Sequence, residues 1–148
     1  MLFANEEFGL SGAREYAKQL GDEADRHVLA MEADVGQGPV WRIRSQVVQE
    51  TLPAIAAMHA VLEPLQVELG GNDASGGADI GPLRTLGVPV LDLSLDASDY
   101  FDVHHTENDT LLKVDPKVLD QSVAAFATAA YLSATKQGDF GRLPSSGE

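Results

Sequence analysis

The sequence predicts an α/β fold in which a mostly parallel central sheet is flanked by helices on both sides. Three observations carry that expectation. Short apolar runs of strand length alternate with segments whose apolar residues recur at helical spacing. Two of the strand-like runs lead into acidic residues, Glu6-Glu7 and Asp34, and open parallel sheets form their sites beyond the carboxyl ends of strands. Polar or glycine-rich stretches such as 70–77 punctuate the segments.

Taken in order, Leu2-Phe3-Ala4 reads as a strand running into Asn5-Glu6-Glu7-Phe8-Gly9. A helix follows over 11–20, with Ser11 placed to cap it, Ala13, Tyr16, Ala17 and Leu20 on one face, and Gly21 after its last turn. Asp22, Glu23, Asp25 and Arg26 form a solvated polar loop. Residues 27–34 read as a second strand that delivers Asp34 to its end, and a short third strand lies around Val40-Trp41-Arg42-Ile43.

Val48, Leu52, Ile55, Met58 and Leu62 recur at helical spacing, and Pro53 requires either a kink or a start near Thr51. His59 stands four residues before Glu63, the spacing of an exposed helical pair. Residues 65–69 read as a strand, 78–86 as a short helix and 89–95 as a strand, while 100–110 form a polar, histidine-bearing loop. The last helix is the most strongly signalled: Asp115 caps it, Pro116 takes its first position, and it runs to about Lys136. Its expected buried stripe is Val118, Leu119, Ser122, Val123, Phe126, Ala130 and Tyr131. Residues 1–136 thus form one unit, and 137–148 a flexible tail.

Bulk properties narrow the function. The formal charge of −13 opposes binding to nucleic acid through phosphate neutralisation and docking on an anionic membrane. With no cysteine, disulfides and thiolate metal sites are excluded. No apolar run reaches the ~20 residues that span a bilayer. No signal peptide is visible, and an opening inside a strand leads us to expect that sequence upstream of Met1 has been removed. The 70–77 loop lacks the spaced glycines and the lysine of a phosphate loop. Trp41 and Arg42 suit either a substrate cleft or packing.

Three segments place acids or histidines just after a strand-like run: Asn5-Glu6-Glu7-Phe8-Gly9, Glu32-Ala33-Asp34-Val35-Gly36, and His104-His105-Thr106-Glu107-Asn108-Asp109-Thr110. Histidine and carboxylate are the donors of hydrolytic zinc centres, and a neighbouring carboxylate can take a proton from water there.

The combination of Asn-Glu-Glu-x-Gly-Leu-x-Gly, x-Asp-x-Gly and His-x-x-x-Asp-Thr over residues 2 to about 135 resembles the co-catalytic zinc exopeptidases of peptidase family M28. His104-His105 and Gly77-Ala78-Asp79-Ile80 look most like the glutamate carboxypeptidase branch of that family. The resemblance implies a zinc-exopeptidase-like three-layer sandwich and a two-zinc metallo-exopeptidase of aminopeptidase, carboxypeptidase or dipeptidase type, acting on a peptide or dipeptide substrate. It implies that Glu6 is the general base, that Glu7 and His105 are ligands of one zinc, and that Asp34 is a ligand of the other. Asp109 would orient the His105 loop, His104 would be a neighbour and not a ligand, and Asp79 and Tyr100 fall near substrate-side loops without assigned roles. His27 stands outside the matching motifs.

The family's His-x-Asp motif and bridging aspartate precede the Glu-Glu pair and have no counterpart here. The chain therefore reads as the C-terminal half of a catalytic domain, with little activity alone. A non-catalytic binding or assembly domain is the alternative. The resemblance further suggests a secreted or periplasmic setting, and an exposed sheet edge suggests a homo-oligomer.

Overall fold

The computed structural model describes residues 1–145. Four strands, β1 (Ala30–Met31), β2 (Val40–Gln46), β3 (Glu68–Leu69) and β4 (Val90–Leu95), form one sheet in the order β1-β4-β2-β3. Helices α1 (Ser11–Leu20), α2 (Leu52–Leu62), α3 (Gly81–Thr85), α4 (Tyr100–Val103) and α5 (Pro116–Thr135) accompany it. The β1–β4 and β2–β3 ladders are parallel, but the longest ladder, β2 with β4, is antiparallel from Val40↔Leu95 to Gln46↔Val90. The sheet is accordingly mixed.

Each face of the sheet buries its own core. Val40 and Ile43 of β2 and Leu91 and Leu93 of β4 pack against Ile55, Met58 and Leu62 of α2 and Ala125 and Ala129 of α5. On the other face, Val88 and Val90 meet Ala17 of α1 and Ile80 and Leu83 around α3. The result is a helix–sheet–helix sandwich, the α/β architecture expected.

Local chemistry explains the helix ends. The Asp115 carboxylate accepts from Lys117 N at 2.8 Å, and Pro116 occupies the first turn of α5. Pro53 likewise sits in the first turn of α2, which starts at Leu52 without a kink. Ser11 does not cap α1; Leu10, in the left-handed region at φ 59°, precedes the helix, and Ser11 is its first residue.

Several expectations are corrected. Residues 2–4 form no strand, because among the described residues they pair with no neighbour. The second strand shrinks to Ala30–Met31 and the third lengthens to Gln46, as their partners on β4 dictate. The 22–26 loop is a 3-10 turn, Gly21–Arg26. The inward stripe of helix α5 is rotated from the expected one: Ser122 is buried and Val118 and Phe126 are half-buried as expected, but Ala125, Ala129 and Ser133 are buried where Leu119, Val123, Ala130 and Tyr131 are exposed. Small residues let the helix approach the sheet closely. His59 does not pair with Glu63; its Nε2–H donates to Val67 O at 3.0 Å. Tyr16 Oη lies 2.8 Å from His27 Nε2.

The segment after α5 packs where a loose tail was expected. Phe140 is 1% exposed in the larger core, and its carbonyl accepts from Thr51 Oγ1 at 3.3 Å. Arg142 donates to Ala24 O at 2.8 Å, and Leu143 N donates to Gly87 O at 3.1 Å. The final three residues of the expected 137–148 tail lie outside the described residues.

Candidate functional site

Glu6 and Glu7 sit in a tight turn rather than at a strand end. Gly9 N donates to Glu6 O at 3.2 Å, and Leu10 N donates to Asn5 O at 3.1 Å. Asn5 adopts φ 60°, a left-handed conformation that asparagine tolerates better than most residues. Gly12 fixes this turn against α1: its N–H donates to Ala4 O at 3.0 Å, and a Cβ there would lie 2.6 Å from the Ala4 nitrogen and oxygen.

The turn meets a second segment far along the chain. His105 Nε2–H donates to Glu7 Oε1 at 2.7 Å. These side chains are 59% and 57% exposed, so water screens their attraction and the pair adds little to folding. Local structure aims His105 instead. His104 N donates to Tyr100 O at 2.8 Å at the end of α4. The His104 ring stacks between Tyr100 at 4.3 Å and His105 at 3.8 Å. His105 itself is held at φ 57°, a conformation that costs energy and is found disproportionately at functional sites. Asp109 makes no side-chain hydrogen bond to His105 among the described residues; it lines a pocket with Asp34, Tyr100 and His104.

Asp34 follows β1, at the carboxyl end that it shares with the parallel β4. No direct hydrogen bond joins it to Glu7 or His105 among the described residues, but its charge reaches the surrounding acids. Partial desolvation, then the charges of Glu7, Asp34 and Asp79, hold the Glu6 carboxyl above its ordinary value, while His105 opposes them. Desolvation and Asp34 likewise raise Asp79. Glu32 is raised by burial first and by Asp34 and Asp79 next, against the hydrogen bonds its carboxylate accepts from Asp79 N at 3.0 Å and Ile80 N at 3.2 Å. Tyr100 is raised by desolvation, then by Asp34, Glu7, Glu6 and Asp109.

This field of like charges is what a cation would relieve, and Asp79 Oδ1 is buried without a hydrogen-bond partner. The imidazole and carboxylate donors fit zinc in kind. Their number falls short: among the described residues, no three His, Asp or Glu side chains are grouped to hold an ion by themselves.

Of the cleft beyond Asp34, sequence reasoning offered Trp41 and Arg42 as possible lining but missed Glu32, Arg44 and Asp92. About 340 Å³ in volume, it is bordered by Glu32, Asp34, Trp41, Arg42, Arg44 and Asp92, together with the Gly76-Gly77 backbone. Alternation along β2 and β4 places Arg42, Arg44, Asp92 and Ser94 on one face. Arg44 pairs with Asp92, which also accepts from Ser94 Oγ at 3.1 Å.

Comparison with known proteins agrees with this architecture. The profile of peptidase family M28 matches residues 1–130. Carboxypeptidase Q of Rattus norvegicus is 31% identical over 134 residues, which cover 90% of this chain and 28% of that protein. The Homo sapiens carboxypeptidase Q is 27% identical over the same shares. The crystal structure of a peptidase M28 precursor from Shewanella amazonensis superposes with a TM-score of 0.92 at 46% identity, covering 97% of this chain and 32% of that one. The chain thus spans less than a third of the length of these relatives.

Proposed function

This chain belongs to peptidase family M28, and from that premise we propose that it carries the proton-transfer and part of the metal-holding machinery of a two-zinc metallo-exopeptidase. The substrate is a peptide from which a terminal residue is removed, or a dipeptide. The observation that carries the reading is the convergence of Glu7 Oε1 and His105 Nε2 at 2.7 Å across 98 residues of sequence, beside a glutamate, Glu6, whose carboxyl is raised by desolvation and then by the acids around it.

In this reading Glu7 and His105 hold one zinc ion and Asp34 contributes to the other, with further donors supplied by protein outside these 148 residues. Bound zinc supplies Lewis acidity that polarises the scissile carbonyl and makes a nearby water easier to deprotonate. Glu6 accepts that water's proton as the C–O bond forms and returns it to the departing amine as the C–N bond breaks. The desolvation and neighbouring acids that raise the Glu6 pKa strengthen it as the proton acceptor in this exchange. The Tyr100–His104 stack keeps the His105 ring oriented for its role.

Zinc binding and peptide hydrolysis, measured on this chain and on a form extended to the length of its relatives, test the proposal. We expect weak zinc binding and little hydrolysis from the chain alone, with chelator-sensitive hydrolysis from the longer form. Loss of zinc binding in Glu7→Ala and His105→Ala is the accompanying expectation; zinc binding indifferent to both changes would refute the assignment. The shortage of ligands within the chain favours one second reading, a non-catalytic binding or assembly domain that retains the fold. A hydrolytically inert long form would select it. The setting we propose is secreted or periplasmic; no helix among the described residues is long and apolar enough to cross a membrane. Self-association through β1 or β3, the edges of the sheet, completes the proposal, and light scattering that finds a strict monomer at high concentration would remove that part.

A further inference from the structure

The cleft beside Asp34 contains a cation without a counter-ion. Among the described residues Arg42 forms no ion pair, and its Nε is buried with no hydrogen-bond partner. The other charges bordering the cleft are better matched: Arg44 with Asp92, and Glu32 with the amides of Asp79 and Ile80. In a chain of net charge −13, acids are abundant, yet none is placed against this guanidinium.

A backbone irregularity explains how Arg42 comes to be there. Val40 pairs with Leu95 and Arg42 with Ser94, so β2 advances two residues while β4 advances one. Trp41 is the extra residue of a bulge, and bulges re-aim side chains. Neighbours on a regular strand point to opposite faces, but here the Arg42 guanidinium lies over the Trp41 ring, 4.3 Å from its centroid. A guanidinium stacked in this way keeps its in-plane N–H donors available while its direction is fixed. Gln121 holds the bulge in place, donating to Val40 O at 2.8 Å and accepting from Val40 N at 2.9 Å. Gly70 gives the arginine stems room; a Cβ there would lie 2.6 Å from Arg44 Cγ and 3.2 Å from Arg42 Cδ.

We propose that Arg42, braced by Trp41, is a specificity-determining residue that binds a substrate carboxylate in the cleft shared with Asp34. The substrate class is then a peptide bearing a carboxylate, from its free C-terminus or from an acidic side chain, held by charge-assisted hydrogen bonds from the guanidinium. This deepens the exopeptidase reading and rests on it for the word substrate; the binding itself needs neither metal nor hydrolysis.

The test is a titration of the full chain in chelator-treated buffer, followed through the arginine Nε–H resonances. The probes are N-acetyl-alanyl-alanine, its C-terminal amide, and N-acetyl-glutamyl-alaninamide. The Arg42 resonance should shift saturably with the first, and the C-terminal amide should bind about tenfold more weakly or worse. If the glutamyl amide recovers the lost affinity, the side chain is the carboxylate source; if it does not, the C-terminus is. Arg42→Gln should abolish the preference for acid over amide, and Arg42→Lys should keep part of it. Equal binding of all three probes by the unaltered chain, or a preference for carboxylate that survives in a folded Arg42→Gln, overturns the proposal. Carboxylate binding by a protein that takes up no zinc would sink the metallopeptidase reading and leave this one standing.

Discussion

Replacing Gly77 with alanine should destabilise the fold by roughly 3 kcal/mol, with about half of that passing through a single partner, Glu32. Gly77 has φ +111°, and a Cβ there would lie 2.7 Å from Glu32 Cδ and 3.2 Å from Glu32 Cβ. Forcing a side chain into such backbone geometry costs about 1–3 kcal/mol. The collision also displaces the Glu32 carboxylate from the amides of Asp79 and Ile80, 3.0 and 3.2 Å away. Hydrogen bonds to a charged acceptor contribute about 1.5–3 kcal/mol each when shielded; at a half-exposed site, screening reduces the pair to about 1–2 kcal/mol.

Urea denaturation followed by circular dichroism reads the sum. With a slope of about 2 kcal/mol per molar, the midpoint should fall by roughly 1.5 M. In a Glu32→Ala background the carboxylate's collision and its hydrogen bonds are already gone and only the 3.2 Å approach to the Cβ of residue 32 remains, so Gly77→Ala should cost little beyond the backbone strain. The two changes should therefore be non-additive by about 1–2 kcal/mol. An equal cost in both backgrounds, to within about 0.5 kcal/mol, would refute the coupling through Glu32.

Three further outcomes are expected. Asp34→Asn should lower the carboxyl pKa values of Glu6, Glu32 and Asp79 together, since Asp34 raises all of them; carbon-detected NMR titration checks this, and three unmoved curves would contradict it. Glu32 binds its proton more tightly in the folded state, so its contribution to stability is full below the ordinary value of 4.5 and is lost as pH rises through the higher folded value. Glu32→Gln should flatten that decline, as read from denaturation midpoints between about pH 4 and pH 7. Leu91→Ala, at a position with no exposure in the larger core, should cost about 2–5 kcal/mol, and a loss below about 1 kcal/mol would mean that the site collapses around the cavity.

What the sequence discloses follows the range of the forces involved. Asp115-Pro116 specifies the start of α5 because a cap and a fixed φ act within a few residues. Pro53 specifies the start of α2 for the same reason. Strand lengths were less legible: β1 ends at Met31 and β2 continues to Gln46 because β4, many residues later, supplies the ladder. The buried face of α5 was only partly legible: Ser122 was placed inside, but periodicity favours large apolar residues, whereas close approach to the sheet selects Ala125 and Ala129.

In the candidate site, the contact of Glu7 with His105 was approachable only through the motif resemblance, since nothing local links residues 98 apart. The ring stack of Tyr100, His104 and His105 left a faint sign in helical spacing from 100 to 104. Trp41 and Arg42 could be read as cleft or packing residues, but their stacking could not, because their shared side of β2 exists only through the two-against-one register at the bulge.

The stretch from Gln137 to Leu143 laces the molecule. Phe140 is knotted into the α2–α5 side, while Arg142 and Leu143 tie to Ala24 and Gly87, which flank the α1–α3 side. Severing the backbone just after Lys136 would therefore slacken both layers at once, although neither helix pair would lose a residue of its own.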